Sequence, residues 1–152
     1  MIRSLLLISL LVISILVPPA AFSEDTLHKA AYIGDIELVT KILKNKVNPD
    51  ERDSFGGTAL HAAMFQKKTE IITLLIAHGF DVNAQGTSNG YTPLHDAVWA
   101  NNLDAAKILI KHGARTDIRA KDGLTPYEKA LKENEKEIAE YLKGLSPGAD
   151  KK

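Results

Sequence analysis

The histidines are the residues of this chain with the clearest chemical potential, because imidazole binds metals and serves as an acid–base catalyst. Three of the five, His28, His61 and His95, recur at similar spacing, while His78 and His112 each precede a glycine. If the last two lie on neighbouring units of a helical stack, they are about 10 Å apart, whereas a Zn–N bond is about 2 Å long. We therefore predict no metal site and interpret this pair as helix C-terminal cations.

The other catalytic and metal-binding motifs considered give no support for an enzyme, because the sequence lacks them. The sequence contains no His-Glu-x-x-His zinc motif, no phosphate-binding glycine loop and no calcium loop. Because it contains no cysteine, a disulfide framework, a thiolate metal site and a cysteine nucleophile are all excluded. Its carboxylates recur at places typical of solvated turns and caps, for example Asp35, Asp81, Asp104 and Asp117. We predict a protein that is not an enzyme and has no cofactor.

Length and charge limit the remaining functions. The chain has 152 residues, which suits one domain, and its 19 basic and 19 acidic side chains give a formal net charge of zero. Without a basic field to attract phosphates, a nucleic-acid partner is not expected.

Residues 1–23 differ in character from the rest of the chain. Arg3 is their only charged residue, Leu5–Val17 is a predominantly apolar run, and Pro18-Pro19 ends it before a group of small residues. This order is typical of a secretory signal peptide, and the run is short of the about 20 residues that span a bilayer. We expect an exported protein, periplasmic or secreted, with no membrane span after cleavage; an uncleaved anchor is the alternative.

The remainder of the sequence is organised by a repeated motif. Thr92-Pro93-Leu94-His95-Asp96-Ala97 matches Thr58-Ala59-Leu60-His61-Ala62-Ala63, and shorter or degraded copies occur at Leu27-His28-Lys29-Ala30 and Thr125-Pro126-Tyr127-Glu128-Lys129-Ala130. The leucine-type position falls at 27, 60, 94 and 127, a period of 33 or 34 residues. A fixed period of this size predicts a stack of small units that bury their apolar faces against each other.

Each unit predicts two helices joined by a tight turn. In the third unit, Thr92 is an N-cap, Pro93 takes the first helical position, and Asn101-Asn102 end the first helix. A second apolar helix follows at 103–112, and its counterparts are expected at 35–44 and 69–78. Connectors carry Gly56, Gly90 and Gly123 two residues before the threonine, which predicts a hairpin turn with positive φ.

These motifs resemble the ankyrin-repeat family, whose unit is a β-turn and two antiparallel helices with a Thr-Pro-Leu-His-x-Ala signature. Gly79-Phe80-Asp81-Val82-Asn83-Ala84 is similar to the end of that unit. The resemblance implies an all-α ankyrin-repeat α-solenoid with short β-hairpin connectors, behind the signal peptide. Its domain would span 24–148, with repeats at about 24–53, 54–87, 88–120 and 121–148, and 149–152 would be a frayed tail.

Two departures from the pattern carry expectations of their own. The fourth unit has Tyr127-Glu128 in place of Leu-His, and its first helix is expected to continue through Lys132–Lys136 with a polar face, as in a capping repeat. The connector before the third unit is one residue longer. The extra residue either lengthens the hairpin tip or forms a bulge, and we favour the bulge.

The resemblance also implies roles for individual residues. In this family the motif residues tie each helix start to the neighbouring turn, which gives a structural role to His28, Thr58, His61, Thr92, Pro93, His95, Thr125 and Pro126. Residues near the end of each first helix face a concave groove and contact partners. Here those positions, together with hairpin residues that would form the rim, are Tyr32, Ile33, Phe65, Gln66, Trp99, Ala100, Ser54, Phe55, Ser88, Asn89, Tyr91, Lys121 and Leu124.

The aromatic residues among them favour a binding function, because exposed aromatic side chains often supply binding hot spots. We expect a monomeric protein–protein interaction module: an immunity-type antagonist, an accessory factor of a periplasmic enzyme, or an effector released towards a host. An alternative is a small-ligand or haem carrier, for example one that supports a periplasmic catalase, with His78 and His112 holding the flat group. If the aromatic rings instead only pack between the helices, they do not form a binding surface.

Overall fold

The computed structural model describes residues 24–146, and this part of the chain is helical with no strand. The predicted signal peptide at 1–23 and the last residues, 147–152, lie outside the described residues. The helices are α1 (Glu24–Ile33), α2 (Ile36–Leu43), α3 (Ala59–Ala62), α4 (Thr69–Ala77), α5 (Pro93–Trp99), α6 (Leu103–Lys111), α7 (Pro126–Lys132) and α8 (Lys136–Lys143), and a 3₁₀ turn, Ala63–Phe65, extends α3. None of these helices is long and apolar enough to cross a membrane.

The helices form two layers. Within each pair the two helices touch, as α1 does with α2, α5 with α6 and α7 with α8. First helices also pack on first helices, in the order α1, α3, α5 and α7, and second helices pack on second helices, in the order α2, α4, α6 and α8. The all-helical stack predicted from the repeat period is confirmed.

The motif residues form much of the core. Leu60 and Leu94 are fully buried in the first-helix layer, and the alanine that closes each motif copy is buried in all four pairs. A small side chain at that position lets adjacent helices approach closely. The second helices contribute branched side chains, among them Ile71, Leu109 and Leu142, none of which is exposed. Every unit therefore buries its apolar face against the next one.

Asparagine residues determine where two helices end and begin. Asn101 and Asn102 end α5 as predicted, since Asn101 adopts a φ of +46° and the N–H of Asn102 donates to the Ala97 carbonyl at 2.8 Å. Asn102 also begins α6, because its side-chain oxygen accepts a hydrogen bond from the backbone N–H of Ala105 at 3.2 Å. The predicted continuation of α7 through Lys136 is wrong. The helix ends at Lys132, Asn134 adopts a φ of +61°, and Glu135 takes the N-cap position of α8. Asparagine visits this left-handed conformation more readily than other non-glycine residues.

The connectors are hairpin-shaped turns without strands. Gly56, Gly90 and Gly123 have φ values of +81°, +72° and +80°, which confirms the conformation predicted from their fixed offset. Backbone hydrogen bonds close the outer two turns over five residues, from Asp53 to Gly57 and from Ala120 to Leu124. The β-hairpin connectors expected from the resemblance are thus turns only.

The middle connector carries its additional residue at the tip. Its closing bond runs from the N–H of Gly86 to the carbonyl of Tyr91, so the loop has six residues, and our preference for a bulge is wrong. The longer tip reaches back to the preceding one, where the N–H of Thr87 donates to the Gly56 carbonyl at 3.0 Å. The N–H of Lys121 similarly donates to Asn89 at 2.9 Å. These bonds join the three tips into one row.

Candidate functional site

The motif histidines connect each unit to the following turn. The Nε2 atoms lie within hydrogen-bond distance of the carbonyl that precedes the next capping position: Gly57 for His28 at 3.2 Å, Tyr91 for His61 at 3.0 Å, and Leu124 for His95 at 3.0 Å. Nδ1 of His61 accepts the N–H of Thr58 at 3.1 Å, and Nδ1 of His95 accepts that of Thr92 at 3.2 Å. Nε2 must then carry the proton and donate to the carbonyl.

Both ring nitrogens of these two histidines are consequently occupied. Burial lowers the pKa of His61 to about 4 and also lowers that of His95, so both rings are neutral at physiological pH. Neither offers a lone pair to a metal or to a substrate. Among residues 27–146, whose side chains the structure describes, no group of three or more His, Cys, Asp or Glu could hold a metal ion.

Glu128 replaces the histidine in the fourth pair. Its carboxylate accepts the N–H of Thr125 at 2.9 Å, and the guanidinium of Arg119 donates to the same carboxylate at 2.7 Å. These hydrogen bonds hold the pKa of Glu128 below its ordinary value. The substitution changes the chemistry of the motif position while preserving the capping arrangement at the helix start.

Three aromatic side chains form a continuous row across the first three units. Tyr32 and Phe65 have ring centroids 6.0 Å apart, and Phe65 meets Trp99 edge-to-face at 5.5 Å. We call these three residues the aromatic stripe. Tyr32 is 56% exposed, Phe65 38% and Trp99 60%, so the rings pack on one another while keeping solvent-facing surface. They are not confined between helices.

The stripe lines a groove of about 960 Å³ between the first helices and the hairpin tips. Seven of the residues predicted to bind a partner line it: Tyr32, Ser54, Phe55, Phe65, Ser88, Asn89 and Trp99. Phe55 is among the most exposed apolar side chains of the described residues. The groove therefore joins helix and tip residues that are more than thirty positions apart in sequence.

The other six predicted binding residues are not part of the groove lining. Ile33 lines a separate, shallower depression beside Lys68, and Ala100 is the C-cap of α5. Gln66 donates from its side-chain amide to the carbonyls of Ala63 and Lys68.

The hairpin members of these six make local contacts. The Tyr91 ring stacks on His95 at 5.3 Å, and its hydroxyl donates to Asp122 at 3.3 Å. The ammonium of Lys121 donates to the carbonyl of Thr87 at 2.7 Å. Leu124, half-buried, provides the carbonyl that pairs with His95.

Asp96 is a groove residue that the sequence analysis did not select. It follows the motif histidine, lines the groove and is only 7% exposed. Burial, assisted by the negative charge of Asp53, raises the pKa of Asp96 to about 7. The signal in the sequence is a carboxylate at the variable position of a motif whose second copy has alanine there, at Ala62.

A serine motif occurs in the connector before α5. Gly86-Thr87-Ser88-Asn89-Gly90 matches the Gly-x-Ser-x-Gly pattern of serine hydrolases, in which the serine lies on a sharp strand-to-helix turn. Here the segment forms a hairpin tip between two helices, and Ser88 is exposed. His61, which also lines the groove, uses both ring nitrogens for the scaffold. The arrangement needed to activate Ser88 is therefore not formed.

His78 and His112 lie at the ends of α4 and α6. Each is exposed and is the C-cap of its helix, and Nδ1 of His78 lies 2.8 Å from the carbonyl of Leu74. Neither histidine is among the residues that line the groove. The aromatic stripe and this histidine pair do not combine into one site.

Comparisons with known proteins identify the repeats. A family model described as "Ankyrin repeats (3 copies)" matches residues 27–122. The chain is 32% identical over 119 residues to the tyrosine-protein kinase Shark of Drosophila melanogaster, covering 78% of this chain and 13% of that protein. It is 32% identical over 129 residues to the human BCL-6 corepressor-like protein 1, covering 84% of this chain and 7% of that protein.

A third relative has a length similar to that of this chain. Cyclin-dependent kinase 4 inhibitor B of Bos taurus is 30% identical over 123 residues, which cover 81% of this chain and 93% of the relative. The chain thus spans a small part of the first two relatives and nearly all of the third. The helix pair α7 and α8 lies beyond the residues that the family model matches.

Proposed function

Because the chain belongs to the ankyrin-repeat family, we propose that it is a non-enzymatic binding module that holds a protein partner in its groove. The observation that carries this proposal is the aromatic stripe. Tyr32, Phe65 and Trp99 are joined ring to ring and remain solvent-facing along the groove. Exposed aromatic side chains that converge in a groove are typical of binding hot spots, and tyrosine and tryptophan are enriched there.

The groove is well suited to binding without large rearrangement. Its tips are joined by backbone hydrogen bonds, and its helices are packed through a buried core. A preformed surface loses little conformational entropy when a partner docks, which favours affinity. Phe55 at the first tip adds an exposed apolar side chain to the lining of the groove.

For the partner, we propose an enzyme that this protein inhibits or assists. The similar-length relative from Bos taurus is, by its name, an inhibitor of a cyclin-dependent kinase, so a domain of this size and family acts on an enzyme. The kinase itself is not carried over to this chain. An immunity-type antagonist and an accessory factor of a periplasmic enzyme are the two forms of this proposal.

Export is a separate part of the proposal and depends on residues 1–23. Their order of a basic residue, an apolar run and small residues supports a signal peptide and a periplasmic or secreted location. We also propose that α7 and α8 form a fourth, capping repeat. Their exposed polar residues, such as Glu133 and Lys136, would then cover the end of the stack.

The test is a pull-down with the purified protein as bait, beside a Tyr32/Phe65/Trp99 triple alanine variant. The proposed function predicts a partner that the native protein retains and the triple variant loses while its helical circular dichroism spectrum is unchanged. Ile33→Ala is a matched control, because Ile33 is an exposed apolar neighbour of Tyr32 outside the groove lining. If the same partners stay with the native and triple-variant proteins, the groove is not the binding surface.

A further inference from the structure

The end of the groove at α5 combines an aromatic ring with a carboxylate. Asp96 and Trp99 are three residues apart on α5, a spacing that places both side chains on the same face of a helix. Both line the groove, and Phe65 packs against Trp99 from the preceding unit. A group bound at this end of the groove would therefore meet a carboxylate and a π-system together.

The Asp96 carboxylate has no partner within the described residues. It is more than nine-tenths buried, yet no hydrogen bond or ion pair engages it among residues 27–146, whose side chains the structure describes. Its oxygens are not among the fully enclosed unsatisfied atoms of that range, so they reach the space of the groove. A nearly buried carboxylate without a partner is unfavourable when ionised, unless a ligand supplies the missing positive charge.

The charged side chains near Asp96 are already engaged in contacts within the protein. Asp53 also lines the groove, but its carboxylate accepts the N–H groups of Phe55 and Gly57 at 2.9 and 3.0 Å and so shapes the first tip. Lys129, at the position of Asp96 in the next motif copy, forms ion pairs with Asp122 at 3.8 Å and with Glu133 at 3.1 Å.

The remaining ionisable groups of the lining lie around the first two motif copies. Lys29 is exposed and occupies the position of Asp96 in the first copy. His28 and His61 are used in the scaffold, where each bonds a carbonyl of the following turn. Asp96 is thus the acidic group of the lining that is left to interact with a ligand.

We propose that this end of the groove binds a lysine or arginine side chain of the protein partner, held between the Asp96 carboxylate and the Trp99 ring. The proposal rests on the function proposed above and adds to it the chemistry of one contact. Cations bind to the faces of aromatic rings, tryptophan best of all, and a charge-assisted hydrogen bond to a carboxylate strengthens such a contact. Arginine is also among the residues enriched at protein interfaces.

The electrostatics agree with this geometry. Burial and Asp53 both raise the pKa of Asp96, which means that its surroundings lack positive charge. A cation bound beside it would favour the ionised carboxylate and lower that pKa again. The position is specific to this unit, because the second motif copy has the uncharged Ala62 there.

The probes for the test are short acetylated peptides that differ only in the central residue, which is lysine, arginine or norleucine. Norleucine keeps the aliphatic chain of lysine without its charge. Trp99 is the single tryptophan of the chain, so its indole N–H signal in NMR reports binding at this end of the groove. Titration to about 10 mM detects contacts of the strength expected for one side chain.

We expect saturable shifts with the lysine or arginine peptide and binding of the norleucine peptide at least about fivefold weaker. Asp96→Asn and Asp96→Ala should each abolish that preference. The alanine variant reproduces the residue that stands at Ala62, so it provides a second variant compatible with the fold. Asp104→Asn is the matched control: it removes an equal charge from an exposed residue of α6 outside the lining, and the preference should persist.

Each of the following results would overturn the proposal: equal binding of norleucine and lysine peptides, a preference that survives in both Asp96 variants, or no saturable shift with any basic peptide. Tighter binding of tetramethylammonium than of the lysine peptide would also overturn it, because the site would then serve a small free cation. The pull-down separates this failure from failure of the proposed function. If a partner is lost only by the triple alanine variant, the groove remains the binding surface but holds no basic anchor.

Discussion

Replacing Asp96 by asparagine should stabilise the free protein, and the gain should grow as the pH rises. The reason is that burial and Asp53 raise the pKa of Asp96 from its ordinary 3.8 to about 7 in the folded protein. An acid whose pKa is higher in the folded state binds its proton more tightly there. Stability is therefore greatest at low pH and is lost as the pH rises from the unfolded value towards about 7.

The size of this effect follows from the two pKa values. Each pH unit between them costs about 1.4 kcal/mol of unfolding free energy, and the loss ends once the folded protein also ionises. Between about pH 5 and about pH 8, Asp96 alone should lower the free energy of unfolding by roughly 2–3 kcal/mol. Asparagine cannot ionise, so the variant should avoid this loss.

The measurement is urea unfolding of the native and Asp96→Asn proteins, followed by circular dichroism at several pH values in that interval. The native curve alone is not sufficient, because His61 and His95 act in the opposite direction. Their pKa values are lowered in the folded protein, so they add stability as the pH rises towards the ordinary histidine value of 6.5. The two proteins share this histidine contribution, and it cancels in their difference.

Asp104→Asn serves as the control for loss of one negative charge, because Asp104 is exposed on α6. Its difference from the native protein should be small and nearly the same across the interval. If the Asp96→Asn difference is equally constant, Asp96 does not titrate between about pH 5 and pH 8 differently in the folded and unfolded chains. The reasoning from its burial would then be refuted.

Three further predictions concern the core, a hairpin tip and the stripe. Leu60→Ala should lower the free energy of unfolding by about 2–5 kcal/mol, because Leu60 is fully buried, and an unchanged urea midpoint would contradict the repeat register. Gly56→Ala should lower the melting temperature more than Gly123→Ala. Both glycines have positive φ, but only at Gly56 would the new Cβ press on the next tip, with Ser88 N at 3.0 Å, and equal losses would contradict this contact. Trp99→Ala should weaken binding of the captured partner by about 2 kcal/mol or more at unchanged helicity, and unfolding would instead assign Trp99 to the core.

Much of the fold could be predicted because it depends on local, repeated chemistry. The period of the motif predicts the stack, and the threonine and proline positions predict where helices begin. Gly56, Gly90 and Gly123 predict positive φ because glycine adopts it with little strain. Sequence reasoning failed in the fourth unit, where Asn134 interrupts the predicted continuation of α7 through Lys136. It also missed two side-chain contacts of Asn102, whose side-chain oxygen caps α6 while its amide donates to the Met64 carbonyl of the preceding unit at 2.9 Å.

The candidate site could be predicted only in part, because its residues depend on how side chains are shared between neighbours. Tyr32, Phe65 and Trp99 occupy one position of the repeat and line the groove together, as the resemblance to the family implies. Tyr91 is an aromatic residue of a hairpin too, but its ring stacks on His95 and is used within the scaffold. No spacing rule separates these two outcomes, since they depend on contacts with the next unit.

Asp96 illustrates how a repeat separates scaffold from binding residues. Its neighbours in the motif, Thr92, Leu94 and His95, are buried and form caps, core and inter-unit hydrogen bonds, so their chemistry is set by folding. Asp96 itself has no such task in the described residues, and its buried carboxylate works against folding once it ionises. A residue that opposes the stability of its own fold is best explained by an interaction outside it. The same group should then lower stability when the groove is empty and raise affinity when a basic side chain occupies it, so one substitution, Asp96→Asn, should shift the two measurements in opposite directions.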